Sequence, residues 1–513
     1  MTSSNNAPLG LARPQAPPTS LARPASVRRA GAVPLTGAGL ACLIAGQLLS
    51  QIDFAGVNVA LHSIGTSLSA SGPTLELVVA VYGVTFAVTL VLGGQLGDTF
   101  GRRTVFIIGV AGFLIASLAC GLAPGAGALL GARAAQGLTA ALLVPQILAT
   151  IHVTATGRQA ARAIGLYGSV GGLSFIVGQV LGGVLLGADV AGLGWRAIFL
   201  VNVPVCLAVL ALARHVPQSR AAQPARFDVP GTALLGGTLV SLMVPAALGE
   251  SLGWPWWTWA LLAGVPVGAV SLWRAESSRE SRGVPALVPP SLLRIPSMRT
   301  GLVVAALFFG CWSGFLFTLT LALQSGAGLS PIRTGLTFVP LGVSFFAAAA
   351  RSAVLVGRIG AAKVIVLGCL VQMPGLAATA SAVLAGHTGG LWFGVGLVLV
   401  GGGQGVIVAG IFRLCLADVS PALAGSASSV VSTIQQASLG LGAPLLGSVF
   451  VAVSARAGST RDGFAAAVGT ELVVMVLVTV VAGRSALRTA RARTDEAVHA
   501  PEPEVNRVPA EAR

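Results

Sequence analysis

The chain has 513 residues; 54% are apolar, only 9% are charged, and the mean hydropathy is +0.86. A soluble domain carries about 25% charged residues, so the composition excludes an ordinary soluble protein and points to a polytopic membrane protein. The formal charge of +15 would suit a nucleic-acid binder, but its distribution along the chain, given below, assigns it to membrane topology instead.

Residues 1–35 are rich in Pro, Ala, Ser and Arg and contain no acid, so they read as a disordered cytoplasmic tail. Long apolar runs follow. They are continuous rather than alternating, which indicates spanning helices and not a barrel. A span needs about 20 apolar residues. Fourteen are expected, near 36–61, 75–96, 104–122, 127–151, 163–187, 197–213, 229–248, 257–273, 300–322, 335–350, 363–385, 391–412, 425–453 and 465–483. Pro444 is expected to bend the thirteenth. Residues 484–513 read as a solvated cytoplasmic tail, with a lipid-contacting start at Arg484, Arg488, Arg491 and Arg493. With the N-terminus inside, the cytoplasmic segments hold 26 of the 31 basic residues, the outer loops hold four, and Arg133 lies within helix 4. That is the asymmetry of the positive-inside rule, and it accounts for the basic charge without nucleic acid. An even number of spans puts both termini in the cytoplasm.

Between the second and third runs lies Gly93-Gly94-Gln95-Leu96-Gly97-Asp98-Thr99-Phe100-Gly101-Arg102-Arg103-Thr104, read as a charged cytoplasmic turn. Its order, Gly94-x-Leu96-x-Asp98-x-x-Gly101-Arg102-Arg103, resembles the loop 2–3 signature of the major facilitator superfamily of secondary transporters. Arg102 and Arg103 could also be plain topological anchors. The resemblance covers roughly residues 36–483. Asp53-Phe-Ala-Gly-Val-Asn58-Val-Ala-Leu is similar to the helix 1 motif of the fourteen-helix drug:proton antiporter branch, with His62 in place of its Pro. Leu130-Gly-Ala-Arg133-Ala-Ala-Gln136-Gly137 is similar to the helix 4 motif, whose Arg the family implicates in proton transfer. Gly194-Trp195-Arg196-x-x-Phe199-x-x-Asn202-x-Pro204 resembles the entry to helix 6. Helix 5, from Gly171 to Gly183, resembles the antiporter signature, with Gln179 where the family has Pro. The resemblance implies an all-α major facilitator fold of two six-helix bundles, residues 36–213 and 300–483, with an inserted helix pair and its linkers at 214–299.

An internal repeat supports that division. Gly101 and Gly109 parallel Gly360 and Gly368; Gln136-Gly137 parallels Gln404-Gly405; Gly178-Gln-x-x-Gly182 parallels Ala443-Pro-x-x-Gly447. The offsets are 259, 268 and 265 residues. Gly401 then falls opposite Arg133, and the second bundle is expected to lack the buried charge of the first.

Charges at membrane depth are costly and mark function. Asp53 is placed about eight residues, roughly 12 Å, from the outer end of helix 1, and Arg133 roughly 9 Å into helix 4. They share the outer half of one bundle. An acid beside a cation stays ionised and takes up a proton when the cation moves away. Asp53, Arg133 and Glu76 are therefore the proton-coupling candidates, against the bland alternatives of a static ion pair and a hydrated interfacial acid. Glu471 is expected to be structural or interfacial. Gly94, Gly97, Asp98, Gly101, Arg102 and Arg103 form a candidate conformational latch. Gly178, Gln179, Gly182 and Gly183 form a candidate helix 5 gate, or simple close packing of small residues. Gln47, Gln51 and Asn58 share a stripe of helix 1, from which Asp53 points roughly 120–140° away. With Gln136, Gln404, Gln435 and Gln436 they are substrate-path candidates, or interhelical hydrogen-bond formers. Trp254, Trp256, Trp257 and Trp259 read as an aromatic belt.

The expected function is proton-coupled efflux of amphipathic small molecules such as drugs, antibiotics or secondary metabolites, by alternating access. Import or facilitated diffusion on the same fold is the alternative, and a non-transporting receptor a further one. The expected partners are the bilayer, a small-molecule substrate and protons, with no nucleic acid; the chain is expected to act as a monomer in a bacterial plasma membrane. No cofactor or metal site is expected. The six cysteines sit in apolar runs without metal spacing, the histidines are scattered without a nucleophile or metal pattern, and no phosphate-binding Gly-x-x-x-x-Gly-Lys-Ser/Thr motif occurs, so no enzyme activity is expected.

Overall fold

A computed structural model describes residues 35–220, 228–249, 252–284, 286–420 and 423–498. All regular structure among them is helical. The first group is α1 (Gly37–Leu68), α2 (Gly72–Phe100), α3 (Arg102–Gly121), α4 (Ala126–Thr154), α5 (Gly157–Ala188), α6 (Arg196–Leu200) and α7 (Asn202–Leu212). Next come α8 (Val229–Leu248), α9 (Trp256–Ser281) and α10 (Pro290–Arg294). The last group is α11 (Pro296–Leu321), α12 (Pro331–Thr337), α13 (Val339–Ile359), α14 (Ala361–Leu384), α15 (Leu391–Leu416), α16 (Ala424–Ala457) and α17 (Thr460–Val498). Twelve helical segments among the described residues are long and apolar enough to cross a membrane. A thirteenth arises if α2, bent by 47° between Leu90 and Leu92, is one span.

The helices pack as two similar groups. In the first, α1 lies on α5 and α7, α2 on α4, and α3 on α4 and α7. In the second, α11 lies on α16, α13 on α15, and α14 on α15 and α17. Small residues permit this, since a bilayer offers helices no hydrophobic drive to associate and close van der Waals approach must supply it. A Cβ on Gly137 would fall 2.4 Å from the Tyr82 carbonyl oxygen, and one on Gly405 would fall 2.3 Å from that of Phe345. The two groups meet through α2 with α16, and through α5 with α12 and α13. Gly83 abuts Gly440, Gly183 abuts Pro331 and Gly335, and the Gln324 amide donates to the Val59 carbonyl at 3.0 Å. These contacts run from mid-helix to the ends bearing Leu68, Gly72, Ala188, Pro331 and Ala457.

The α8–α9 pair leans on this seam, with Gly236 against Val88 and Met243 against Gly440. Its base is held by acids: Asp228 caps α8 by accepting from the Gly231 amide at 2.8 Å and meets Arg279 at 3.0 Å. Glu276 accepts from the Leu287 and Val288 amides at 2.6 and 3.3 Å. Trp254, Trp256 and Trp259 are exposed around the start of α9, where a belt would lie.

Three expectations about the backbone change. The charged turn at 93–104 is mostly helix: α2 continues to Phe100, α3 starts at Arg102, and Gly101 alone separates them. Gly101 has φ +100° and Gly360, between α13 and α14, has φ +86°, a region open to glycine and costly for other residues. One residue therefore makes each turn. Second, α17 runs on to Val498, past the expected end at 483; Ala and Arg favour helix continuation, and 499–513, like 1–34, lie outside the described residues. Third, the helix 5 repeat is shifted by one. Gly178 abuts Ile52 and Ala55, as Gly442 abuts Gly310 and Ser313, so Gly178 corresponds to Gly442, not to Ala443.

Candidate functional site: a buried ion pair

Five helices converge on Asp53 of α1. Its Oδ2 accepts from Arg133 Nη1 at 2.6 Å, and its Oδ1 accepts from Gln136 Nε2 at 3.0 Å and from Asn202 Nδ2 at 2.7 Å. Gln136 Nε2 also donates to Ser117 Oγ at 2.9 Å, and its Oε1 accepts from Arg133 Nη1 at 2.8 Å and from Cys120 Sγ at 3.3 Å. Arg133 Nε donates to the Val78 carbonyl at 3.1 Å, and the guanidinium lies 4.4 Å from the centre of the Tyr82 ring. Asp53 is 1% exposed and Arg133 is fully buried. Arg133 Nη2 is buried without an acceptor.

Helical geometry produces this convergence. Arg133 and Gln136 are three apart on α4 and so share a face, which points between α1, α2 and α3. Asn202 opens α7 beside Ser117 of α3. Asp53 lies farther from the end of α1 than the expected depth of roughly 12 Å. Helix α1 reaches Leu68, so Asp53 sits fifteen residues from that end and near the helix middle, roughly 22 Å along the axis. The expected depth assumed a helix ending near 61, whereas the polar stretch after it, His62 to Leu68, is helical as well.

A carboxylate with three donors and a guanidinium with a carboxylate, an amide, a carbonyl and a ring face are mutually well satisfied. Burying an ion pair nevertheless costs several kcal/mol per ion before attraction offsets it. Separating the two without hydration or protonation leaves an uncompensated charge, costing about 3–5 kcal/mol. Breaking the pair therefore requires that the acid be neutralised or hydrated.

Other expected site residues are dispersed. Glu76 is half-buried on α2, and its Oε1 would lie 3.4 Å from a Cβ on Gly447 of α16. It thus faces the seam between the two groups. Asp98 meets Arg102 at 2.7 Å across Gly101. The Arg102 amide donates to the Ser219 carbonyl at 2.8 Å, and the Arg103 amide to Gln218 Oε1 at 3.1 Å, tying the segment after α7 onto the turn. Gly97 lies against Gln146, whose Nε2 donates to the Gly93 carbonyl at 2.8 Å, while Gly94 faces open space. On α5, Gly178 and Gly182 face α1, and Gly183 faces α12. Gln179 is 1% exposed and neither of its amide atoms has a partner.

The amides divide. Gln136, expected on the substrate path, is instead fully buried and consumed by the ion-pair cluster, because its i−3 neighbour is Arg133. Gln47 and Asn58 are buried, with only a long 3.4 Å bond from Asn58 Nδ2 to the Phe54 carbonyl; Gln51, Gln435 and Gln436 are half-buried. Gln404 is fully buried with both amide atoms unpartnered. Ser117, Asn202 and Tyr82 were not singled out as site residues. Asn202 carried a signal, a polar side chain in an apolar run, but Ser117 and Tyr82 carried none.

The second group was expected to lack a buried charge, yet it holds a buried ionisable residue. Glu471 of α17 is fully buried, with Oε1 accepting from Gln372 Nε2 at 3.1 Å. It was placed near a helix end because α17 was expected to start at 465; the helix starts at Thr460, eleven residues before it. Among the described residues, no group of three or more His, Cys, Asp and Glu is arranged to hold a metal ion.

A doubled set of apolar helices around one buried ion pair defines a multi-pass membrane protein of the transporter type. The chain belongs to the Major Facilitator Superfamily: the model of that family matches residues 43–236 and again 229–444. A Streptomyces coelicolor protein described as a probable actinorhodin transporter is 34% identical over 450 residues, covering 85% of this chain and 76% of that one. A puromycin resistance protein of Streptomyces alboniger is 35% identical over 425 residues, covering 81% and 82%. Among solved structures, the human organic anion transporter MFSD10 superposes with a TM-score of 0.59 at 16% identity, covering 87% of this chain and 99% of the other. At that identity the likeness concerns the fold.

Proposed function

We propose that this chain exports amphipathic small molecules, of the antibiotic or secondary-metabolite class, in exchange for protons by alternating access. The observation that carries the reading is the Asp53–Arg133 pair, closed at 2.6 Å and sealed from water by α1, α2, α3, α4 and α7. Opening it requires hydration or neutralisation of Asp53, and a proton supplies the second at the smallest structural cost. The relatives named for antibiotic transport and resistance support the direction and the substrate class.

In this reading fourteen helices span the bilayer: the twelve clear spans, the bent α2, and the 32-residue α5. The inside excess of arginine supports an orientation with both termini in the cytoplasm. The contacts between the two groups then fall on the outer side, which makes this the inward-open state. The two six-helix groups rock about these contacts, with Gly83–Gly440 and Gly183–Gly335 as close-packed pivots. Glu76, at the α2–α16 seam, is a second group that outward opening would wet. Asp98, Arg102 and the Gln218–Ser219 segment form the inner latch. Gln47, Gln51, Asn58, Gln435 and Gln436 supply polar groups to the path.

The test is efflux of the lipophilic dye ethidium from pump-deficient bacteria expressing wild type or Asp53→Asn at equal levels, with and without a protonophore. Efflux is expected to collapse with the protonophore and with Asp53→Asn. Dye export that survives Asp53→Asn would remove Asp53 from the coupling role.

A further inference from the structure

The cluster at Asp53 leaves one deeply buried acid unused. Glu471 lies on α17, which packs on α11, α14 and α16. Its carboxyl is fully buried, and Gln372 Nε2 is its recorded donor, while Oε2 has no hydrogen-bond partner. No ion pair among the described residues includes it. Gln372 from α14, which is neutral, donates to it, and Cys311 from α11 is a thiol within electrostatic range. Among the described residues, no cation from α16 forms an ion pair with it.

The repeat gives that neighbourhood meaning. The contacts of Gly178 and Gly442 pair Ile52 with Gly310 and Ala55 with Ser313, so Cys311 occupies the place of Asp53. Cys311 therefore stands in the second group where the acid stands in the first, and Glu471 reaches the same region from α17. An ionised carboxylate held in hydrocarbon-like surroundings by a single amide is far more costly than a neutral acid, which needs only modest hydrogen bonding.

We propose that Glu471 is a second proton-carrying group, which holds its proton in this conformation and releases it when the helices around α17 rearrange. The inference rests on the proton-coupled reading above and adds a site in the other half of the molecule. In the conformation seen here the two sites are in opposite states: Asp53 is ionic and paired, and Glu471 is neutral and unpaired. The step is a proton transfer only. The proton leaves the Glu471 carboxyl for water admitted from one side, and a proton from the other side replaces it.

Two readouts on the purified full chain test this. The first is the infrared carboxylic-acid stretch followed through a pH titration. The expected result is a band that titrates in wild type, is missing from Glu471→Gln, and remains in Asp53→Asn. A band that persists in Glu471→Gln, or one that ignores pH in wild type, overturns the proposal. The second is ethidium flux into proteoliposomes across an imposed pH gradient. Glu471→Gln is expected to lose part of the gradient dependence, and Glu471→Asp to keep most of it, while both unfold thermally like wild type. Wild-type gradient dependence in Glu471→Gln overturns the proposal whatever the spectrum shows. If wild-type flux ignores the gradient altogether, the coupling reading at Asp53–Arg133 fails, and the infrared titration still decides Glu471.

Discussion

Near the middle of α1 and about two turns into α4 the first group places Asp53 and Arg133; at the corresponding places on α11 and α15 the second group has Cys311 and Gly401. The backbone frame around them is the same. Arg133 Nε reaches the Val78 carbonyl, and a Cβ on Gly401 would fall 1.9 Å from the Leu341 carbonyl oxygen. Gly137 and Gly405 pair Tyr82 with Phe345, and the same register pairs Val78 with Leu341. Where the first group inserts a guanidinium between α4 and α2, the second brings α15 and α13 into backbone contact. Gln136 and Gln404 are also equivalent, yet Gln136 makes bonds through both amide atoms and Gln404 makes none. A shared scaffold thus carries a buried ion pair on one side and close packing on the other, with the second side's acid supplied by another helix.

Breaking the ionic side has the largest expected effect. Arg133→Leu leaves Asp53 buried and unpaired, and is expected to cost about 3–5 kcal/mol of stability. The measurement is thermal unfolding in detergent, and the double variant Arg133→Leu/Asp53→Asn should recover much of the loss. Equal instability of single and double variants would show that the pair is not what holds these helices. Next is the packed side. Gly401→Ala pushes a methyl group into the Leu341 carbonyl and is expected to cost about 1–3 kcal/mol by overpacking, read as a lower unfolding temperature, whereas Gly402→Ala, at an uncrowded neighbour, should change little. The smallest effect separates the two glutamines. Gln404→Leu removes an unpartnered buried amide and should be neutral or slightly stabilising, whereas Gln136→Leu strips one donor from Asp53 and should destabilise by about 1.5–3 kcal/mol. Similar losses from both would mean that Gln404 has partners in the working protein.

Much of the frame was legible in the chain. Apolar runs located most of the helices, because the bilayer rewards length and continuity that can be counted. The Gly-x-Leu-x-Asp-x-x-Gly-Arg-Arg order identified the superfamily, and helix 1 geometry separated Asp53 from the Gln47–Asn58 stripe. Two expectations changed because a helix end moved. His62 to Leu68 and Thr460 to Phe464 extend α1 and α17, so Asp53 lies deeper than the expected depth of roughly 12 Å and Glu471 lies farther from its helix end.

By itself, the sequence determined that this is a polytopic helical membrane protein with an internal repeat and with an acid and a base at depth, which follow from composition, periodicity and spacing; its superfamily was indicated by the resemblance of short motifs, and all of these are local properties. Only the tertiary structure decided that Asp53 and Arg133, eighty residues apart, form one ion pair, that Asn202, Ser117 and Tyr82 complete it, and that Glu471 is buried without a cation. Partnership between side chains depends on helix rotation and crossing, which small residues on several helices fix jointly and no single stretch encodes.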